Sequence, residues 1–153
     1  MSNRTFEKRP DDVVIVAGAR TPIGKFGGSL KTVSSIDMGA LVVREAVSRA
    51  GVKPASVDEV IVGQVGSWGE NGFLARAVSL KAGLPDETCA YSVNRQCGSG
   101  LQSIVDAVME IQTGAADVVV AGGSESLSQL PYYVPSARWG ARMGHKQLED
   151  GVI

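Results

Sequence analysis

The sequence has 153 residues, enough for one domain with its own core and no disulfide or metal staples. Its 15 Lys and Arg are balanced by 16 Asp and Glu, which excludes a general nucleic-acid binder with a basic stripe. Hydrophobic residues at 44% exclude a disordered chain, and the 19 glycines lie between apolar runs without a short period, which excludes collagen.

From Asp11 onward, β-branched runs alternate with helical periodicity. Val13-Val14-Ile15-Val16-Ala17, closed by Gly18, has the form of a strand buried on both faces. Residues 19–34 read as a loop. Ser34 with Asp37 three residues on opens a capping-box pattern, and Met38, Leu41, Val42 and Ala46 follow at helical spacing until Gly51 and Pro54. Val60-Ile61-Val62 begins a second strand, broken at Gly63. A second helix is expected from Phe73 to Ala82, stopped by Gly83 and Pro85, and a third strand from Thr88 to Val93. Gly98 to Thr113 gives the clearest helix, with Leu101, Ile104, Val105, Val108 and Ile111 on one face as its expected core side. Val118 to Gly123 forms a fourth buried strand. The order β-α-β-α-β-α-β predicts an α/β fold with right-handed crossovers and a mainly parallel sheet.

After Ser128 the periodicity stops. Three of the eight aromatic residues, Tyr132, Tyr133 and Trp139, lie in residues 129–153, so this stretch is expected to pack against something outside the chain. No segment approaches the ~20 apolar residues of a membrane helix, so no membrane is expected. Residues 1–10 mix basic residues with Glu7 and lack an apolar run, so they are not read as a signal peptide, and the compartment expected is the cytoplasm.

The chemistry-bearing residues are few. Cys89 and Cys97 are eight apart and His145 has no histidine partner, so no metal site is expected. Gly18 to Lys25 approximates a Walker loop, but five residues separate its glycines and Phe26 stands where Ser or Thr would meet Mg²⁺. The strong signal is Val93-Asn94-Arg95-Gln96-Cys97-Gly98-Ser99-Gly100-Leu101. There a cysteine leaves a predicted strand and starts a predicted helix, where unpaired amides and the helix dipole favour a thiolate. Gly98 and Gly100 are expected to keep the turn open to a substrate carbonyl, with backbone N–H groups as oxyanion donors. A small residue filling a helix start is the alternative.

That run closely resembles the acylated-cysteine segment of thiolases. The resemblance extends along the chain through Ala19-Arg20-Thr21-Pro22-Ile23-Gly24-Lys25-Phe26, Val62-Gly63-Gln64-Val65, and Ala121-Gly122-Gly123-Ser124-Glu125-Ser126-Leu127-Ser128. The related ketoacyl synthases also carry a cysteine here, but Cys-Gly-Ser-Gly favours the thiolase branch. Two departures stand out. Gly72-Phe73-Leu74 precedes Ala75-Arg76 where the family often has Gln-Asn-Pro, and Ser124 replaces Met in the Gly-Gly-Met-Glu pattern.

The resemblance implies a thiolase-like layered fold: residues 1–128 as an N-terminal domain lacking its final strand, and residues 129–153 as the start of an inserted loop domain. It implies Cys97 as the acyl-accepting nucleophile, with its own N–H as oxyanion donor. The substrates implied are coenzyme A thioesters, with no bound cofactor. Acetyl-CoA C-acetyltransferase activity is the first expectation. A 3-ketoacyl-CoA thiolase of broader chain length is the second, and a non-catalytic scaffold or acyl-binding subunit the third. The catalytic His and second Cys would lie beyond Ile153. Hence the partners expected are the remainder of the polypeptide, or a second chain supplying it, and further copies in a dimer or tetramer. The 153-residue chain alone is expected to be inactive. His145 is read as a surface loop residue and Cys89, in mid-strand, as core packing.

Overall fold

The structure, a computed structural model, describes residues 12–153. The reading of residues 1–10 lies outside them. Three helices form where the caps and apolar spacing predict. Helix α1 spans Ser35–Ala50; the Ser34 hydroxyl accepts the Asp37 N–H at 3.0 Å, and Gly51 closes the helix at φ 66°. Helix α2 covers Leu74–Ala82 and ends on Gly83, also left-handed. Helix α3 covers Ser99–Thr113 and ends on Gly114.

Strands β1 (Glu59–Gly63), β2 (Cys89–Val93) and β3 (Val119–Gly123) form a parallel sheet in the order β2-β1-β3. The register is level: Gly63 lies opposite Val93 on one side and Gly123 on the other. All three strands therefore deliver their following loops at one height. Helices α1 and α2 pack on each other and on one face of the sheet, enclosing Ala40, Val43, Val47, Val60, Val62, Leu74 and Val78. Gly39 is required at that helix crossing, since a Cβ there would lie 2.7 Å from Val78 Cγ2. Helix α3 covers the other face over β1 and β3.

The α/β class holds, but the predicted first strand does not form. Val14, Ile15 and Val16 are 71%, 83% and 71% exposed. Their stretch lies across a cleft of about 370 Å³ from β3 and α1, without a ladder partner. An apolar run becomes a strand only where its N–H and C=O groups reach a neighbour, and β3 is not close enough to supply one. The sheet is thus three-stranded, and β3 is an edge only half buried instead of the buried strand expected.

The face of α3 is the second correction. Its buried residues are Ser99, Ser103 and Ala107, while Leu101, Ile104, Val105 and Met109 are exposed. Small side chains bring the helix close to the sheet, and the Ser103 hydroxyl donates to Gly100 C=O at 2.7 Å or Gly122 C=O at 2.9 Å. Leu101 and Val105 therefore turn outward, while Ile104 and the half-buried Val108 and Ile111 line the cleft beside residues 13–19. Beyond Ser128, two short strands, β4 (Tyr132–Tyr133) and β5 (Glu149–Asp150), pair antiparallel and close the stretch on itself. Among the described residues no helix is long and apolar enough to cross a membrane.

Candidate active site

Cys97 is exposed in the five-residue turn between β2 and α3. It stands at the carboxyl ends of parallel strands, where open α/β sheets bind ligands. The turn is tightly wound. Gly98 N–H donates to Arg95 C=O at 3.1 Å and Ser99 N–H to Gln96 C=O at 3.0 Å. The buried Ser99 hydroxyl donates to the same Gln96 carbonyl at 2.6 Å and accepts Arg95 N–H at 2.9 Å. Gln96 itself adopts φ 51°, the one non-glycine residue with positive φ among those described.

Two strand glycines, Gly63 and Gly123, seat the helix start on the sheet. A Cβ on Gly63 would fall 2.4–2.5 Å from the backbone of Ser99 and Gly100, and one on Gly123 would lie 3.3 Å from Gly100 Cα. A Cβ on Gly100 itself would have nothing nearer than Gly123 at 3.9 Å, an ordinary contact, so packing on the sheet does not by itself demand a glycine there. Gly98 has only Arg95 C=O near its virtual Cβ, at 3.3 Å, and is exposed.

The loops after β1 and β3 join this turn. Gln64 N–H donates to Val93 C=O at 3.0 Å, linking the ends of β1 and β2. Glu125, two residues beyond β3, accepts Val65 N–H at 2.7 Å and Gly66 N–H at 3.3 Å on one carboxylate oxygen. Ser124 N–H reaches Gly63 C=O at 3.2 Å, and its hydroxyl donates to Ser35 C=O at 2.6 Å. The motifs around Gly63, Cys97 and Glu125, separate in sequence, therefore meet at one end of the sheet.

A sequence profile described as the thiolase N-terminal domain matches residues 13–153. The chain belongs to the thiolase family. It is similar to the acetyl-CoA acetyltransferase of Cupriavidus necator, 48% identical over 142 residues, covering 93% of this chain and 36% of that protein. The acetyl-CoA acetyltransferase of Syntrophomonas wolfei is 46% identical over 132 residues, covering 86% and 33%. The crystal structure of the Bacillus anthracis acetyl-CoA acetyltransferase superposes with a TM-score of 0.87 at 46% identity, covering 91% of this chain and 35% of that one. This thiolase chain spans about a third of the length of these relatives.

The other candidate residues fall elsewhere in this thiolase chain. His145 is exposed in the stretch between β4 and β5, as expected of a loop residue. Cys89 is not core packing: it is the first residue of β2 and is exposed. Strand β2 is a sheet edge that α3 barely touches, which among the described residues leaves Cys89 open to solvent. Asn94, Ser99 and Glu125 lie within the motifs that carry the resemblance, but their hydrogen bonds were not foreseen. The available signal was an isolated Glu among glycines and serines directly after a strand, where a carboxylate meets loop amides.

Proposed function

We propose that this chain carries the nucleophile of a thiolase-type acyl-CoA acyltransferase, with acetyl-CoA C-acetyltransferase its activity in the complete enzyme. The observation that carries the reading is an exposed cysteine at the junction of β2 and α3, held where three strand-end loops interlock. In the first half-reaction the Cys97 thiolate attacks the thioester carbonyl. The carbonyl oxygen becomes an oxyanion, the bond to the coenzyme A sulfur breaks, and coenzyme A leaves as its thiolate to take up a proton. The amides of Gly98 and Ser99 are engaged inside the turn, and the thiolase resemblance assigns the oxyanion to the N–H of Cys97 itself.

In the second half-reaction, the carbanion formed at the α-carbon of another acetyl-CoA attacks the acyl-cysteine. A carbon–carbon bond forms, the sulfur–acyl bond breaks, and the Cys97 thiolate returns. Thiolysis runs the same steps backward, with the coenzyme A thiolate as attacker. The proton transfers need a base, which this reading assigns to a histidine outside these 153 residues. The exposed His145 is not that base. The substrates are coenzyme A thioesters without a bound cofactor, and the working protein is a cytoplasmic oligomer.

Peptide mapping of the complete enzyme after mixing with acetyl-CoA tests the reading. An acetyl group on Cys97 is expected, and Cys97→Ser should lower turnover by at least about 10³-fold with the fold intact. Acetyl label confined to another residue, or retained turnover in that variant, would overturn it. Comparing kcat/KM for acetoacetyl-CoA with that for longer 3-ketoacyl-CoA substrates separates the acetyl-specific enzyme from a broader-chain thiolase. A complete assembly that takes no acyl group at all would be the non-catalytic subunit.

A further inference from the structure

The left-handed Gln96 immediately precedes Cys97, so its φ of 51° sets the direction in which the nucleophile leaves the turn. A residue with a Cβ relaxes from that region unless its surroundings hold it there. The surroundings do so from both sides. Asn94 Oδ1 accepts Gln96 N–H at 3.0 Å, and Ser99 takes the Gln96 carbonyl. The Asn94 side chain then reaches outward, donating through Nδ2 to Val65 C=O at 3.3 Å. Val65 N–H in turn is held by Glu125 at 2.7 Å. A continuous path thus runs from the loop after β3, through the loop after β1, to the residue before the nucleophile.

We propose that Glu125 and Asn94 are positioning residues that hold Gln96 left-handed and so aim Cys97 at the start of α3. The proposal rests on the reading of Cys97 as the nucleophile. Neither side chain touches the thiol; both act through Val65 and Gln96. The arrangement gives the Gly-Gly-Ser-Glu segment after β3 a function at a distance. Its carboxylate fixes a neighbouring loop, and that loop fixes the turn.

The two exposed cysteines make the test internal to one molecule. Iodoacetamide labelling of this chain at neutral pH, followed by peptide mapping, gives the ratio of the Cys97 rate to the Cys89 rate. The parent ratio is expected to exceed one, because Cys97 stands at the positive end of the α3 dipole whereas Cys89 stands at the start of a strand. Asn94→Ala and Glu125→Ala should each lower the ratio about fivefold or more. Glu125→Gln, which keeps an oxygen for Val65 N–H, should stay within about twofold of the parent. Gln96→Gly, which adopts positive φ without a clamp, should restore the ratio in the Asn94→Ala background. An unchanged ratio in both alanine variants overturns the proposal, as does a loss that Gln96→Gly leaves in place. Should an alanine variant not fold, Asn94→Ser decides: the neutral hydroxyl can still accept Gln96 N–H but is too short to donate to Val65, so an unchanged ratio there also overturns it. A parent ratio of one or below would instead remove the nucleophile reading on which the proposal rests.

Discussion

Asp58, just before β1, ties the amino ends of three strands together. Its carboxylate accepts Asp117 and Val118 N–H, each at 2.9 Å; its own N–H donates to Val118 C=O and its C=O accepts Cys89 N–H. Those amides hold its pKa below the ordinary Asp value, Val118 foremost. A depressed folded-state pKa means stability that is present above the ordinary value and is lost as pH falls through the depressed one. Asp58→Asn should therefore cost about 1 kcal/mol at pH 7, below the usual range for charged hydrogen bonds because the group is exposed to solvent screening. Thermal melts should show the parent and variant converging as pH drops below the Asp range. The neighbour behaves oppositely. Burial, then the charge of Glu110 on α3, raises the Glu59 carboxyl above its ordinary range. Its folded-state contribution is complete below the ordinary Glu value and is lost as pH rises through the raised one. Glu59→Gln should therefore gain in melting temperature over the parent at pH 8 and show little gain at pH 4. A parallel fall of both proteins across that range would refute this assignment. At this scale the position of Cys97 at a helix start and the Ser34–Asp37 cap were legible, because each is a local pattern. Asp58 and Glu125 were not, since an isolated carboxylate beside a strand reads as a solvated charge until its amides are located.

Among the elements, α3 shows best what a pattern can and cannot specify. Periodicity gave its length to within one residue, because 3.6-residue spacing and Gly114 are local signals. Its inward side was not legible. The hydrophobic stripe argued for Leu101 and Val105, but close approach to Gly63 and Gly123 admits only Ser99, Ser103 and Ala107. Glycines on two different strands, β1 and β3, thus decide the face of the helix packed across them. Gly63→Ala tests that contact. Its Cβ would meet backbone atoms at 2.4–2.5 Å, which cannot yield as a flexible side chain can. A loss of about 3 kcal/mol in denaturant unfolding is expected, the upper end for overpacking, together with slower alkylation of Cys97. Gly98→Ala is the control. Gly98 sits at φ −89° with one neighbour at 3.3 Å, so a loss below about 1 kcal/mol is expected. Equal losses in the two variants would mean that the helix start is not seated on β1 as described.

Among the described residues, apolar surface stays uncovered on the outer side of α3 and along the cleft that residues 13–19 share with β3, Ile104, Val108 and Ile111. Leu101 is 69% exposed and Ile15 83%, and the exposed residues on each surface are contiguous, not scattered. Patches of this kind mark places where more protein belongs, since each apolar Å² withdrawn from water stabilises by about 25 cal/mol. The relatives are about three times as long as this chain. The run Val13–Ala17 bears on the same point. Its apolar composition predicts a strand, yet it lies unpaired across a cleft from an unpaired edge, so the missing element is a hydrogen-bonding neighbour and not the propensity. The 153-residue chain should accordingly associate, either with itself or with the remainder of the enzyme, and should show no thiolysis when isolated. Hydrogen exchange supplies the structural readout. The amides of residues 13–17 should exchange rapidly in the isolated chain and gain protection of at least about tenfold when the remainder is added, together with those of β3. Size-exclusion chromatography and a thiolysis assay complete the test. A monomeric, active 153-residue protein whose residues 13–17 are already protected would contradict both the open cleft and the assignment of the base to a histidine outside this chain.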